Sequence, residues 1–214
     1  MKTNKTTLFT AQFALLLAIE IIVCFTPLGS IPIGPIVATL AMIPVIITAI
    51  LLGTGAGAGM GAFAGLCSFL VMTFVAPSPT SFVFTPFYSI GDIHGNGWSL
   101  VICFVPRILV GVVAGVCFKL FSRLFAKLQK GHVLTYVLSG VLGSLTNTFL
   151  VLGGIYVFFG DSYAAAIGQS YDVLLALIGM TVLTNGLPEA ILGGLCAWAV
   201  CYPIKKHMMK ARVA

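Results

Sequence analysis

"WSLVICFVPRILVGVVAGVCFKLF", residues 98–121, holds two charges, Arg107 and Lys119. It meets the length of roughly 20 residues that a helix needs to cross the hydrocarbon layer of a bilayer. Reading it as a spanning helix decides the fold, because the same texture recurs along the chain. The 214 residues are 59% hydrophobic and only 7% charged, against about 25% charged in an ordinary soluble domain. Mean hydropathy is +1.13. A soluble fold of this length could not hide so much apolar surface.

Six stretches qualify as spans: residues 8–25, 36–52, 57–76, 98–121, 133–159 and 172–202. The expected architecture is an all-α integral membrane domain covering 1–214. Pro27, Pro32 and Pro35 break the chain between the first two spans, and "GTGAG" turns it between the second and third. Residues 77–97 form a long loop rich in Pro and aromatics, a length typical of lids and binding loops. The stretch 172–202 is too long for one straight span, and "TNGLPEAILGG" interrupts it with Gly186 and Pro188. A kink or break is expected near 184–187, because proline removes a backbone donor and crowds the preceding turn.

The +6 net charge is informative through its placement. Lys2 and Lys5 precede the first span. Lys119, Arg123, Lys127 and Lys130 lie between the fourth and fifth, and Lys205, Lys206, Lys210 and Arg212 follow the sixth. With six spans, all fall on one side, which the positive-inside rule makes cytoplasmic. Asp92, Asp161 and Asp172 fall on the other. Both termini are expected inside and loops 1 and 3 outside. The basic tail reads as a topology anchor beside anionic lipid, not as a nucleic-acid surface.

The six cysteines form no C-x-x-C pair. They read as small apolar packing residues, with no disulfide framework or metal site. Gly53, Gly57, Gly61 and Gly65 recur every four residues. That spacing bares one helical face to close approach by another helix. No Lys-Ser/Thr follows it, so a phosphate loop is excluded. There is no H-E-x-x-H, no G-x-S-x-G and no nucleotide-binding motif. No cofactor is expected in this chain, and ATP-driven transport would need separate subunits.

Ionisable groups inside spans are costly, by about 3 kcal/mol on insertion scales, and mark function by default. Glu20, Arg107 and Glu189 qualify, with Asn147 and Asn185 as uncharged polar companions. Arg107 lies about nine residues inside the outer end of its span, roughly 13 Å at the helical rise. The group converges on the outer half of the bilayer, a pattern for an outward pocket and not for a channel. Arginine offers a rigid donor fork for a carboxylate or phosphate, and asparagine serves amides and hydroxyls. Trp98, Phe82, Phe84, Phe87 and Tyr88 would supply walls and a lid, with Thr85 among the candidate ligand contacts. The competing reading pairs Arg107 with Glu20 or Glu189 as structural glue.

Several segments together resemble a known family. "ALLLA" places Ala14 and Ala18 four apart in the first span, and "IPIGPIVATLAMIPVIITAILLGTGAG" follows. "SFVFTPF", "GNGWSLVICFVPRILVG" and "TNGLPEAILGG" complete the set. The chain is similar, over nearly its whole length, to the substrate-binding S components of energy-coupling factor (ECF) vitamin transporters. The loop leading into the fourth span looks most like the pantothenate-type members. The resemblance implies a six-helix vitamin-binding subunit of the plasma membrane. Loops 1 and 3 would act as lids, and Ala14 and Ala18 would dock on a transmembrane coupling subunit driven by two cytoplasmic ATPases. In the family the loaded subunit is thought to topple, and the glycine face of the third span offers a further surface for sliding or docking. One position departs from the pattern: Met42 stands before Ile43-Pro44 where similar sequences often have His. Alternatives are another vitamin, a queuosine precursor or, from a different class, an intramembrane enzyme acting on a lipid.

Overall fold

The structure is a computed structural model that describes residues 5–26, 29–33, 36–129 and 131–213. For Lys5, the strands between 30 and 39, and 208–213, it describes the backbone alone. Lys2, Pro27, Pro35 and Lys130 lie outside the described residues. The chain runs α1 (Lys5–Phe25), β1 (Ser30–Ile33), β2 (Ile36–Thr39), α2 (Ile43–Leu52) and α3 (Thr54–Leu70). A π-helical turn (Val71–Val75) and a 3-10 turn (Ser81–Val83) lead to β3 (Ser89–Ile90) and β4 (Ile93–His94). Then come α4 (Gly97–Leu124), α5 (Gly131–Ala166), α6 (Tyr171–Thr181), a second π turn (Val182–Gly186) and α7 (Leu187–Val213). Among the described residues five helical stretches are long and apolar enough to cross a membrane: Thr6–Phe25, Thr54–Val75, Gly97–Leu124, Gly131–Ala166 and Tyr171–His207. The chain is an all-α, multi-pass membrane protein.

The second apolar stretch differs from its sequence reading. Of residues 36–52, only Ile43–Leu52 is helical. Ile36–Thr39 instead pairs antiparallel with Ser30–Ile33, Ser30 opposite Thr39 and Ile33 opposite Ile36. Pro44 explains where the helix begins, since proline fits the first turn, whose N–H groups have no intrahelical acceptor. Ten residues make α2 about 15 Å long, half of a hydrocarbon layer of about 30 Å. Residues Pro44 to Ile50 are all buried. A helix apolar on every side belongs in the middle of a bundle, and α2 sits there, packed on α1, α3, α4, α5 and α7.

The glycine face of α3 is used within the chain itself. A Cβ on Gly61 would overlap the Arg107 carbonyl oxygen, and one on Gly111 would overlap the Gly57 backbone. Lipid tails are as apolar as leucine, so helices in a bilayer adhere through close van der Waals approach and not through hydrophobic expulsion. The four-residue glycine spacing supplies that approach between α3 and α4, the most extensively packed helix pair. It is therefore not a free sliding surface. Gly140 against Gly193 makes the equivalent contact between α5 and α7.

The interruption expected near 184–187 takes the form of the π turn Val182–Gly186, with Pro188 just inside α7. The Leu187 N–H reaches back to the Val182 carbonyl, so the helical path continues through the wider turn without separating. Gly186 lies against the Thr148 methyl of α5, which seats the wide turn on its neighbour.

Candidate functional site

Because α2 is short, space remains beyond its N-terminus. A cavity of about 280 Å³ fills it, with Ala41 and Met42 at its base. Cys24 and Thr26 at the end of α1 form one wall, and Ser68 of α3 with Val71 and Met72 of the π turn that follows it another. Arg107 of α4 and Asn147 and Val151 of α5 close the far side, with Gly29 and Phe84 contributed by the loops. Loop 1 and loop 3 therefore both reach the cavity, as does every long helix from α1 to α5 except where α2 stops short. The N-terminal, positive end of the α2 dipole opens into it, which favours a negative group there.

Arg107 is 8% exposed. One terminal nitrogen donates to the Ile102 carbonyl at 2.7 Å, a bond that bends the side chain back along α4. The guanidinium carbon stands 5.2 Å from the centre of the Phe84 ring. Its Nε is buried and has no partner among the described residues. Asn147 lines the same cavity, and its buried Oδ1 also has no partner among the described residues. Leaving a buried polar group unpaired costs about 1–3 kcal/mol, more for a charged one. Two residues that line one cavity, Arg107 and Asn147, thus each carry a buried polar atom that lacks a partner among the described residues.

Glu20 is fully buried one turn before Cys24. Its Oε1 accepts from the Cys24 thiol at 3.2 Å, and its Oε2 has no partner among the described residues. It makes no ion pair with Arg107, so the structural-glue reading fails for Glu20. It stands behind Cys24 and does not line the cavity.

Loop 3 is a folded cap. Asn96 and Ser99 form a capping box at the start of α4, and the Ser99 hydroxyl donates to the Phe82 carbonyl at 2.6 Å. Thr73 of the α3 π turn lies 2.8 Å, oxygen to oxygen, from Thr85. A Cβ on Gly95 would overlap the Thr85 carbonyl oxygen, so only glycine fits that crossing. Phe82 packs edge-on against Phe159 at 5.7 Å. These contacts fix the segment that presents Phe84 to Arg107. The β1–β2 hairpin of loop 1 reaches across to the second π turn and α7.

The expected site residues therefore divide. Arg107 and Asn147 meet on the cavity. Phe82 and Thr85 are fully buried inside the cap and hold it together without lining the cavity. Trp98 is half exposed and stacks on Phe158 at 4.1 Å, on the outside of the α4–α5 pair. Asn185 lies in the second π turn and Glu189 in the first turn of α7; both are half-buried and neither lines the cavity. Ala14 and Ala18 are exposed on α1. Among the described residues no group of three His, Cys, Asp or Glu could hold a metal ion.

Cys24, Thr26, Ser68 and Met72 line the cavity without having been singled out. Their side chains are small or weakly polar, and such groups in apolar helices often serve their own backbone. The Thr26 hydroxyl does so, donating to the Ile22 carbonyl at 2.6 Å. The available signal was spacing: Cys24 lies one turn beyond Glu20, and Ser68 one turn before Met72.

Residues 10–204 match the family described as the ECF transporter, substrate-specific component. The chain belongs to that family. It is thus one component of a multi-component transporter, and the fold reading and the resemblance agree. A relative, the "Pantothenic acid transporter PanT" of Lactococcus lactis subsp. cremoris (strain MG1363), is 39% identical over 173 residues. The match covers 80% of each chain.

Proposed function

We propose that this S component binds pantothenate in the Arg107–Asn147 cavity, on the outer side of the plasma membrane, and delivers it through a coupling subunit driven by two cytoplasmic ATPases. The observation that carries the reading is the meeting of Arg107 and Asn147 on one cavity, each with a buried polar atom, Nε and Oδ1, that has no partner among the described residues. Pantothenate offers a carboxylate for the guanidinium and N–H or O–H donors for the asparagine oxygen. Its gem-dimethyl group suits Met42, Met72, Val151 and the Phe84 ring. A volume of about 280 Å³ lies just below the roughly 300 Å³ at which ligand cavities begin. The PanT relative supports the choice of vitamin.

The placement of basic residues supports an outward cavity. Loop 1 and the loop 3 cap serve as its lids. Ala14 and Ala18, exposed on α1, serve as the docking face for the coupling subunit. The chemistry of ATP hydrolysis resides in the partners, and this chain supplies selection and movement.

Thermal unfolding of the purified protein across a panel of vitamins tests the reading. Pantothenate at 100 times its dissociation constant is expected to add about 2.7 kcal/mol of stability, and Arg107→Ala to abolish that gain. A shift with a different vitamin would keep the cavity and replace its ligand. No shift from folded protein with any vitamin would overturn the proposal.

A further inference from the structure

α4 carries a proline in its interior, Pro106, immediately before Arg107. In an α-helix the N–H of residue 106 donates to the carbonyl of residue 102. Proline has no N–H, and its ring crowds that same carbonyl. The Ile102 oxygen therefore lacks its helical donor, on a residue only 2% exposed. A buried carbonyl needs a partner, and a side chain supplies one: the Arg107 Nη1 donates to it at 2.7 Å. Side chains on a helix lean toward its N-terminus, so Arg107 reaches over the turn that Pro106 has opened. The same guanidinium meets the Phe84 ring of the cap at 5.2 Å.

Pro106 does not line the vitamin cavity. It is buried and faces a groove between α4 and α5, beside Ile102 and Gly154, while Arg107 lines the cavity. A second interior proline, Pro203 of α7, offers a contrast. Ile204 follows it and has no donor to give. In α4 the withheld backbone donor and the cationic side chain stand side by side, and one satisfies the acceptor that the other leaves open. With alanine at 106 the backbone N–H would return to the Ile102 carbonyl and the pressure of the ring would vanish. Nη1 would then lose its acceptor. A long side chain freed in this way must be ordered again when ligand binds, which weakens binding.

We propose that Pro106 is a positioning residue: by leaving the Ile102 carbonyl open it fixes one end of the Arg107 guanidinium before ligand arrives. The consequence for binding rests on the reading of Arg107 as the carboxylate anchor; the positioning itself does not. The first test is therefore ligand-free. Nitrogen NMR of the full chain with labelled arginine reads rotation about each Cζ–Nη bond, and the chain has three arginines, Arg107, Arg123 and Arg212. Arg107 should rotate slowly in the parent and fast in Pro106→Ala, while Pro203→Ala should leave it slow. Fast rotation in the parent, or slow rotation kept in Pro106→Ala, would overturn the proposal. The second test is affinity by calorimetry. Pro106→Ala should weaken pantothenate about fivefold, the cost of ordering one long side chain. It should leave pantothenol, which has an alcohol in place of the carboxylate, unchanged. Equal loss for both ligands would mean a deformed cavity and overturn positioning. If the parent binds neither ligand yet Pro106→Ala still frees Arg107, the vitamin reading fails and the positioning stands. Thermal unfolding of each variant reports folding, and Pro106→Ala should unfold no earlier than the parent, because alanine restores a helical bond.

Discussion

Two spans of this protein are equally apolar and used in opposite ways. Of the most apolar stretch of α4, 44% is buried within the chain; of α1, 6%. α4 is gripped by α3 and α5 and carries Arg107 inward. α1 touches α2 and α3 and leaves Leu15, Ile19 and Ile22 exposed beside Ala14 and Ala18. A helix that holds a ligand must be over-determined by its neighbours, because a small displacement of the guanidinium loses the ligand. A helix that meets a partner must stay uncommitted. On the proposed function this division separates recognition from coupling, so each half should break without the other.

The largest expected effect lies on α1. Ala14→Trp should abolish vitamin uptake in whole cells while pantothenate affinity, measured by calorimetry on the purified chain, stays unchanged. The bulky ring blocks close helix approach on a face left exposed by the described residues. Loss of affinity along with uptake would show that the Ala14–Ala18 face is not independent of the cavity wall that α1 supplies at Cys24.

On the committed side, the expected effect depends on which face of α3 is altered. Gly61→Ala drives a methyl group into the Arg107 carbonyl, so α4 must shift. Overpacking of this kind costs about 1–3 kcal/mol, and pantothenate affinity should fall with it. Gly59 meets nothing within 4 Å. Gly59→Ala should be neutral or raise stability by up to about 1 kcal/mol through helix propensity. Equal responses from the two glycines would remove the claim that α3 positions Arg107.

The same contrast explains what the sequence revealed. Arg107 and Asn147 were legible because a strongly polar side chain in a lipid-length apolar run needs a reason. The break near Pro188 was legible from proline chemistry. The boundaries of α2 were not: the run 36–52 is apolar throughout, and apolarity does not distinguish a buried strand from a helix. Trp98 and Phe82 entered the site for being aromatic near a loop. Packing, which depends on Phe158 and Phe159, sixty and seventy-seven residues onward, sends one outward and the other into the cap.

Asn147 gives a smaller and two-signed effect. Its Oδ1 is buried without a partner among the described residues. Asn147→Leu removes that unpaired acceptor, so the ligand-free protein should gain about 1 kcal/mol in thermal unfolding. Pantothenate affinity should fall about fivefold, the worth of one neutral hydrogen bond. A function held at the expense of stability moves both readouts in opposite directions. Both falling together would make Asn147 a packing residue.

The smallest effect on binding should come from Trp98, and the reason returns to the two faces of α4. Trp98 and Arg107 lie on the same helix, yet Trp98 is half exposed against Phe158 while Arg107 faces the cavity. Trp98→Ala removes an aromatic stack worth about 0.5–1.5 kcal/mol and should lower the unfolding temperature in detergent by a few degrees. It should leave pantothenate affinity within about twofold, since Trp98 does not line the cavity. The Asn96–Ser99 capping box and the Ser99 bond to the Phe82 carbonyl hold the cap without it. A large loss of affinity in this variant would mean that the cap depends on the outer face of α4, and that recognition is less insulated from the lipid side than the packing of α4 implies.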